Sequence, residues 1–315
     1  MVRKERHTVP SKAKLIFIGV STGGSSIMKI FPKWSEILGL NCEIVGLDLP
    51  LRAPAERYRH VMQQIIADPT VKGALITAHK IDMLQACRGK IDELDQYARI
   101  CDEVSCIIKR EGKLLGFAKD AISSAQALGH FVPREHWRGG ARDALCLGAG
   151  GAAVAISVSM ALDEPHPGRF ILTDIAPERL ASIRQVHQRL DTPQQFEYHL
   201  SRSATDNDRL LRQLPPGSLV INATGLGKDR PGSPLTSEAQ FPQDGLVWEL
   251  NYRGERDFMR AAAAQAEALN LTVEDGWKYF LHGWTEVMAE VFDLQLDEAT
   301  FDQLSAAAET YRKAN

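Results

Sequence analysis

The sequence lacks the features of membrane, secreted and metal-binding proteins. No window holds ~18 consecutive apolar residues, and the polar start of the chain has no apolar signal-peptide core. The five cysteines are odd in number, form no Cys-x-x-Cys pair, and several lie in apolar runs. Such a pattern is typical of buried free thiols. We therefore expect no membrane partner, no metal site and a reducing, cytoplasmic setting.

The sequence also lacks an excess of charge. Its 37 Lys and Arg residues oppose 40 Asp and Glu residues, and it contains no long basic run or RNA-reading motif, so we expect no nucleic-acid partner. The densest basic stretch, MVRKERHTVPSKAK at the start, is typical of a frayed tail. A composition of 44% hydrophobic and 24% charged residues excludes a disordered or fibrous protein, and 315 residues predict two domains.

Strands and helices alternate in the first half of the chain. The runs AKLIFIGV (13–20), CEIVGLDL (42–49) and GALIT (73–77) read as strands separated by helical patterns, of which the first, SSIMKIFPKWSEIL, reads as an interrupted helix. This repetition predicts a parallel βαβ sheet, followed by a hairpin that turns at Glu111-Gly112. The polar, Gly-rich stretch 134–143 is typical of a domain boundary.

A second series of strands begins after that boundary. The run ALCLGAGGAAVAISVSMAL (144–162) predicts a strand, a glycine turn and a helix, and RFILTD, SLVINATG and GLVWELNY predict three more strands. From Thr272 onward we expect helices that pack back on the other domain.

The turn after the first of these strands fits Gly-x-Gly-x-x-Ala. Such a turn lets backbone N–H groups approach a pyrophosphate at a helix N-terminus. The pattern by itself is weak, but here it follows a strand and opens a helix, as a dinucleotide site requires. We expect cofactor contacts from Gly148, Gly150, Gly151, Ala152 and Ala153.

Asp174 ends the next predicted strand, where an acidic residue can bind the adenosine ribose of NAD. It could equally cap the helix that follows, and the two roles are compatible. A carboxylate there would repel the 2′-phosphate of NADP and weaken NADP binding. Ile175 and Ala176 offer no cation, and only Arg179 is near. The sequence therefore favours NAD over NADP.

These motifs resemble the shikimate/quinate dehydrogenase family over residues 14–295. LGAGGAA resembles the family's glycine turn, and NATGLG (222–227) its segment near the nicotinamide, which implies cofactor contacts from Asn222 and Thr224. DIAPERL overlays the Asn-Arg-Thr stretch whose arginine clamps the NADP phosphate. Ile175 stands at that arginine's place.

The resemblance also implies a catalytic pair in the first half. GALITAHK resembles Asn-Val-Thr-x-Pro-x-Lys, one residue shorter and without the proline, and places Lys80 at the catalytic lysine. GFAKD resembles Gly-x-Asn-Thr-Asp and places Asp120 at the paired aspartate. A desolvated lysine can take the proton of a secondary alcohol while a hydride leaves for the nicotinamide. Without the resemblance, Lys80 reads as a solvated charge and Asp120 as a helix cap.

The family's substrate contacts are only partly kept. Ser25, Thr77 and Tyr279 are the substrate-binding candidates, although aromatic residues at helical spacing, such as Tyr279, are usually core. Apolar or small residues replace polar motif positions at Leu75, Ala118, Ile27 and Gly283. A pocket that has lost its donors no longer selects hydroxyl groups. We therefore expect a small hydroxy acid or its ketone, less hydroxylated than shikimate.

The sequence thus predicts an α/β oxidoreductase of two domains. A substrate-binding domain spans 14–135, to which helices in 270–315 return, and a Rossmann-type NAD domain spans 140–265. Two alternatives stay open: a non-catalytic NAD-binding regulator, and a folate-type dehydrogenase of similar plan. The oligomeric state is also open, and homodimers are frequent in such folds.

Overall fold

The computed structural model describes residues 11–139, 141–227 and 230–312. The chain is of the predicted α/β class, with two six-stranded sheets. It divides into two compact units. The first holds the described residues up to Ala98, Glu103–Ala118 and those from Val287 onward, and the second holds Arg99–Asp102 and Lys119–Glu286. The sequence-based domain bounds stay a prediction. The basic N-terminal tail falls largely on residues 1–10, which lie outside the described residues.

The first unit contains the sheet of strand order β2-β1-β3-β5-β6-β4. Its strands are β1 (Ala13–Gly19), β2 (Cys42–Asp48), β3 (Val71–Ile76), β4 (Glu93–Leu94), β5 (Cys106–Arg110) and β6 (Lys113–Phe117). Its helices are α1 (Ile27–Ile37), α2 (Ala55–Ala67), α3 (Lys80–Cys87) and α12 (Glu298–Arg312), and α4 (Gln96–Cys101) crosses into the second unit. As predicted, β2, β1 and β3 are parallel, and β5 and β6 form an antiparallel hairpin.

Two local details of this unit follow from backbone chemistry. Glu111 and Gly112 both have positive φ, at 51° and 78°, which is the conformation of a tight hairpin turn. The prediction of an interrupted first helix was wrong, since α1 runs unbroken through Pro32. The hydrogen bond lost at proline is offset by burial of Ile27 and Trp34, both 0% exposed.

The second unit contains an all-parallel sheet of order β12-β11-β10-β7-β8-β9. Its strands are β7 (Ala144–Leu147), β8 (Phe170–Asp174), β9 (Phe196–Leu200), β10 (Leu219–Asn222), β11 (Leu246–Glu249) and β12 (Thr272–Glu274). This is the strand order of a Rossmann fold, in which the chain reverses direction across the sheet between β7 and β10. The Rossmann prediction is confirmed.

Helices cover both faces of this sheet. They are α5 (Asp120–Gly129), α6 (Gly151–Leu162), α7 (Pro177–His187), α8 (Ala204–Leu211), α9 (Asp257–Ala263) and α10 (Ala266–Leu269), and α11 (Trp277–Phe292) crosses the division between the units. One core packs Ala144 and Cys146 against α5, α6 and α7, and the other packs Leu145 and Leu147 against α8 and α9. Successive residues of β7 serve opposite faces, which is why such central strands are apolar throughout.

Two elements of the second unit differ from the sequence-based expectation. β9 was not predicted, because Phe196–Leu200 is only five residues long and contains the polar residues Glu197 and His199. Thr272–Glu274 was expected to be helical but forms the edge strand β12 beside β11. Its pairing partner β11 is distant in sequence, so no local sequence pattern predicts this strand. All five cysteines are buried free thiols, as expected.

Two glycines near α11 allow a matched test of packing. A Cβ at Gly276 would lie 1.9 Å from the carbonyl oxygen of Leu250, whereas one at Gly283 meets nothing within 4 Å. We expect Gly276→Ala to lower the free energy of unfolding by about 3 kcal/mol, because a backbone atom must move. Gly283→Ala should raise it by up to about 1 kcal/mol, since alanine favours a helix interior. Urea unfolding of both variants measures this, and equal stabilities would contradict the described packing.

Candidate functional site

The glycine turn joins β7 to α6 at the carboxyl edge of the Rossmann sheet. Gly148 has φ +104°, and a Cβ on it would lie 2.8 Å from the carbonyl oxygen of Ala223. Gly150 is the N-cap of α6 and Gly151 its first residue, followed by Ala152 and the fully buried Ala153. The turn therefore has the close approach and the open helix N-terminus that bind a pyrophosphate.

Asp174 lies at the end of β8, beside this turn. Its side chain is buried, and Oδ2 accepts a 2.9 Å hydrogen bond from the backbone N–H of Ala149 in the glycine turn. Oδ1 accepts from the N–H of Ala176, the N-cap of α7, and the Arg179 guanidinium lies 3.7 Å from Oδ2. One carboxylate thus orders both the turn and the start of the next helix.

A cavity of about 270 Å³ opens over these residues. Three of the predicted cofactor residues line it: Gly148, Asp174 and Thr224. Three arginines also line it, namely Arg179, Arg202 and Arg230, together with hydroxyl groups of the β9–α8 connection. The Arg230 guanidinium donates to the carbonyl of Thr224 over 2.9 Å. Cationic and hydroxyl side chains beside a helix N-terminus suit a phosphorylated ligand.

Part of the cavity lining is the segment that follows β10. The side-chain oxygen of Asn222 accepts hydrogen bonds from both the N–H and the hydroxyl of Thr224, at 3.2 and 2.6 Å. The Thr224 hydroxyl in turn accepts from the N–H of Leu226. The segment is therefore ordered by its own side chains and by Asn222, whose side chain is 0% exposed.

A buried carboxylate underlies that segment. Glu249, at the end of β11, is 0% exposed and accepts from the Asn222 amide and from the N–H of Asn251, both over 2.8 Å. Burial raises its pKa from 4.5 to about 7, against the lowering effect of these bonds and of Arg256. Sequence reasoning missed Glu249. The available signal was a lone charge in the apolar run LVWEL at a strand end.

The predicted residues of the first unit lie in loops at the carboxyl ends of β1 and β3. Thr77 is exposed, and its hydroxyl donates to the carbonyl of Ile18 over 3.1 Å. Ser25 is half-buried in the loop before α1. Lys80, also half-buried, is the first residue of α3, and its carbonyl accepts from the N–H of Val104. Polar groups at this edge commonly line α/β sites.

His79, next to Lys80, has a structural role. It is 0% exposed, its Nδ1 is 3.0 Å from the Tyr58 hydroxyl, and its Nε2 is 3.1 Å from the carbonyl oxygen of Leu49. The buried imidazole therefore ties the start of α3 to α2 and to the residue after β2. It anchors the backbone from which the Lys80 side chain extends.

Two predicted residues belong to the second unit. Asp120 is the first residue of α5, half-buried, and follows the buried Lys119. Tyr279 is half-buried on α11, where its ring packs edge-on against Trp248 with centroids 5.6 Å apart. That contact is the core role expected of aromatic residues at helical spacing.

Across residues 11–139, 141–227 and 230–312, no three His, Cys, Asp or Glu side chains converge in a way that could hold a metal ion. Within the same ranges, no helix combines the length and the apolar character needed to cross a bilayer.

Known proteins that are similar in sequence to this chain are named shikimate dehydrogenases, which fits a dinucleotide site at the glycine turn. No protein-family model matches the sequence. It is 32% identical over 177 residues to the shikimate dehydrogenase (NADP(+)) of Streptococcus gordonii, a match to 56% of this chain and 58% of that protein. It is 28% identical over 243 residues to the enzyme of the same name from Methanopyrus kandleri, covering 73% of this chain and 74% of that protein. The chain is thus similar in sequence to shikimate dehydrogenases.

Solved structures share the fold of this chain. The quinate dehydrogenase of Corynebacterium glutamicum, in complex with NAD, superposes with a TM-score of 0.74 over 95% of this chain and 99% of its own. At 16% identity this likeness shows the fold alone. The streptococcal matches span about three fifths of those relatives' length, so activity and substrate do not follow from this similarity.

The titration of Glu249 has a measurable consequence for stability. Because the folded-state pKa of about 7 lies above the ordinary value of 4.5, the folded protein keeps this proton longer than the unfolded chain. The free energy of unfolding should therefore fall as pH rises from 4.5 to about 7, by up to about 3 kcal/mol from this group.

Urea unfolding between pH 5 and 8 should show a smaller fall for Glu249→Gln than for wild type. Glu197→Gln is the matched control, because the pKa of Glu197 lies below its usual value: burial raises it, but the hydrogen bonds and charges of His199 and Arg169 outweigh that effect. If the free energy of unfolding falls equally with pH in wild type and Glu249→Gln, the raised pKa of Glu249 is contradicted.

Proposed function

We propose that the protein is a nicotinamide-dependent dehydrogenase that interconverts a secondary alcohol and a ketone on a small hydroxy acid. The observation that carries this is the cavity at the β7/β10 reversal, where the glycine turn, Asp174 and Thr224 form one lining. Ligands of open α/β sheets bind in this position. The curated relatives, named shikimate dehydrogenases, support the reaction class.

Lys80 is the proposed base and Asp120 the carboxylate that orients the reacting hydroxyl group. The bound nicotinamide supplies the acceptor for a hydride from the alcohol carbon. The hydroxyl proton passes to Nζ of Lys80 as the carbonyl forms. His79 and the contact of the Lys80 carbonyl with Val104 hold the backbone at the start of α3. A fixed backbone limits the positions from which the Lys80 amine can reach a proton.

The proposed substrate is less hydroxylated than shikimate. Positions that carry polar groups in the family's motifs hold Leu75, Ala118 and Ile27, which are buried and contribute no side-chain donor. Gly283 likewise contributes none. Without these donors, a polyhydroxylated acid would leave hydroxyl groups unpaired on binding.

The proposed cofactor is NAD, and NADP is the second candidate. Asp174 at the end of β8 is a carboxylate, and the exposed Ile175 beside it carries no charge. A 2′-phosphate is favoured by other observations, namely Arg179, Arg202 and Arg230 in the cavity lining and the name NADP(+) in the curated relatives. Arg202 allows a test between the two cofactors. Its exposed guanidinium would pair with a 2′-phosphate, which only NADP has, and it lies outside the glycine turn that either cofactor would use.

Replacing Lys80 tests the chemistry. Lys80→Ala should lower kcat by roughly 10²–10⁴-fold while cofactor affinity stays within about twofold, since the base is lost and the cofactor cavity is not. Turnover is followed at 340 nm over a panel of shikimate, quinate and hydroxy acids with fewer hydroxyl groups. Lys72→Ala, on the exposed side of β3, is the matched control and should keep wild-type turnover. Unchanged turnover in Lys80→Ala would refute the role.

The same panel tests the substrate class. Efficient wild-type turnover of shikimate or quinate at low concentration would contradict the less hydroxylated substrate. Cofactor binding without turnover of any member would favour a non-catalytic regulator, which the altered substrate positions also fit.

Calorimetric titration of NAD and NADP tests the cofactor. We expect NAD to bind more tightly, and Arg202→Ala to leave its affinity unchanged. Tighter NADP binding by wild type, reduced about tenfold in Arg202→Ala, would show instead that this guanidinium pairs with the 2′-phosphate. Arg212→Ala, beyond the end of α8 and outside the cavity lining, is the control.

A further inference from the structure

Glu249 has an unusual position for an ionisable side chain. It is 0% exposed at the end of β11, and its partners are the amide of Asn222 on β10 and the N–H of Asn251. Both partners donate a hydrogen bond, the Asn222 amide to Oε2 and the Asn251 N–H to Oε1. A carboxylate can accept both bonds, whereas a glutamine has one acceptor oxygen and would turn an NH₂ group toward a donor.

The bonds of Glu249 continue into the cavity wall by two routes. On one route, the Asn222 oxygen holds the N–H and hydroxyl of Thr224, and the Thr224 hydroxyl holds the N–H of Leu226. On the other, the Asn251 amide donates to the carbonyl of Leu226 over 2.9 Å. Thr224 and Leu226 line the same cavity as Gly148 and Asp174. Both routes from one carboxylate therefore end on one wall.

The orientation of Asn222 depends on this carboxylate. Its amide must donate to Glu249 for its oxygen to face Thr224. A group at position 249 that donates instead would favour the flipped amide, which presents NH₂ to the Thr224 N–H and removes the acceptor. The burial that raises the Glu249 pKa to about 7 shows that keeping a charge here is costly. An apolar residue would avoid that cost but could not orient Asn222.

We propose that Glu249 is a positioning residue that holds the segment from Asn222 to Leu226 in the conformation that receives the nicotinamide half of the cofactor. The inference rests on the proposed function, because it takes the cavity as the dinucleotide site. The adenosine ribose is assigned to Asp174 and the pyrophosphate to the glycine turn, whose Gly148 lines the same cavity. Loss of Glu249 should therefore affect one half of the cofactor and spare the other.

The test compares two ligands that differ in the nicotinamide half. Wild type and Glu249→Gln are titrated with the reduced cofactor that wild type binds more tightly, NADH or NADPH. They are also titrated with ADP-ribose or its 2′-phosphate, which lacks the nicotinamide. Glu249→Gln should bind the reduced cofactor about tenfold more weakly and the truncated ligand within about twofold of wild type. Glu197→Gln, the same change on β9 of the same sheet, should alter neither affinity.

The ratio of the two affinities separates positioning from general destabilisation. An equal loss for both ligands, or no loss for either, would overturn the proposal. Failure of wild type to bind either reduced cofactor would overturn the proposed function itself, and the inference with it. If Glu249→Gln does not fold, Glu249→Asp gives the same comparison. Its shorter carboxylate keeps the local bond to Asn251 but does not reach Asn222, so the same selective loss is expected.

Discussion

Backbone contact between Gly148 and Ala223 sets the geometry on which the cofactor cavity depends. Position 148 has φ +104°, and any side chain there would meet the Ala223 carbonyl. With only hydrogen at this point, the turn after β7 can lie against the end of β10. These are the neighbouring strands at which the order of the Rossmann sheet reverses. Gly148 of the turn and Thr224 and Leu226 after β10 consequently line one space.

Two buried carboxylates then order the backbone segments that line that space. Asp174 accepts from the backbone of the glycine turn and of α7, and Glu249 accepts from Asn222 and Asn251. Their surroundings differ, because Arg179 lies 3.7 Å from Asp174 whereas burial dominates at Glu249 and raises its pKa to about 7. In both cases a carboxylate acts as a fixed acceptor, so that loop backbone is held without a regular ladder of hydrogen bonds.

Parts of this site could be read from the sequence because their signals are local. Gly148 and Asp174 stand at set distances in one strand–turn–helix–strand unit, and Asn222 and Thr224 follow a clear strand. Arg202 and Arg230 could not be found in this way. Arg202 follows β9, a five-residue strand that was not predicted, and Arg230 reaches Thr224 through a loop. Lys80 was placed at a strand end and is the first residue of α3, since the buried His79 begins the helix there.

The sequence by itself determined the α/β class, the Rossmann unit and the glycine turn, because apolar runs, their spacing and glycine conformation are properties of short segments. The tertiary structure alone decided that β12 pairs with β11, that three arginines share a cavity with Asp174, and that Glu249 supports Asn222. These features join residues distant along the chain. Their energies depend on which polar groups are buried together, and a short segment does not contain that information.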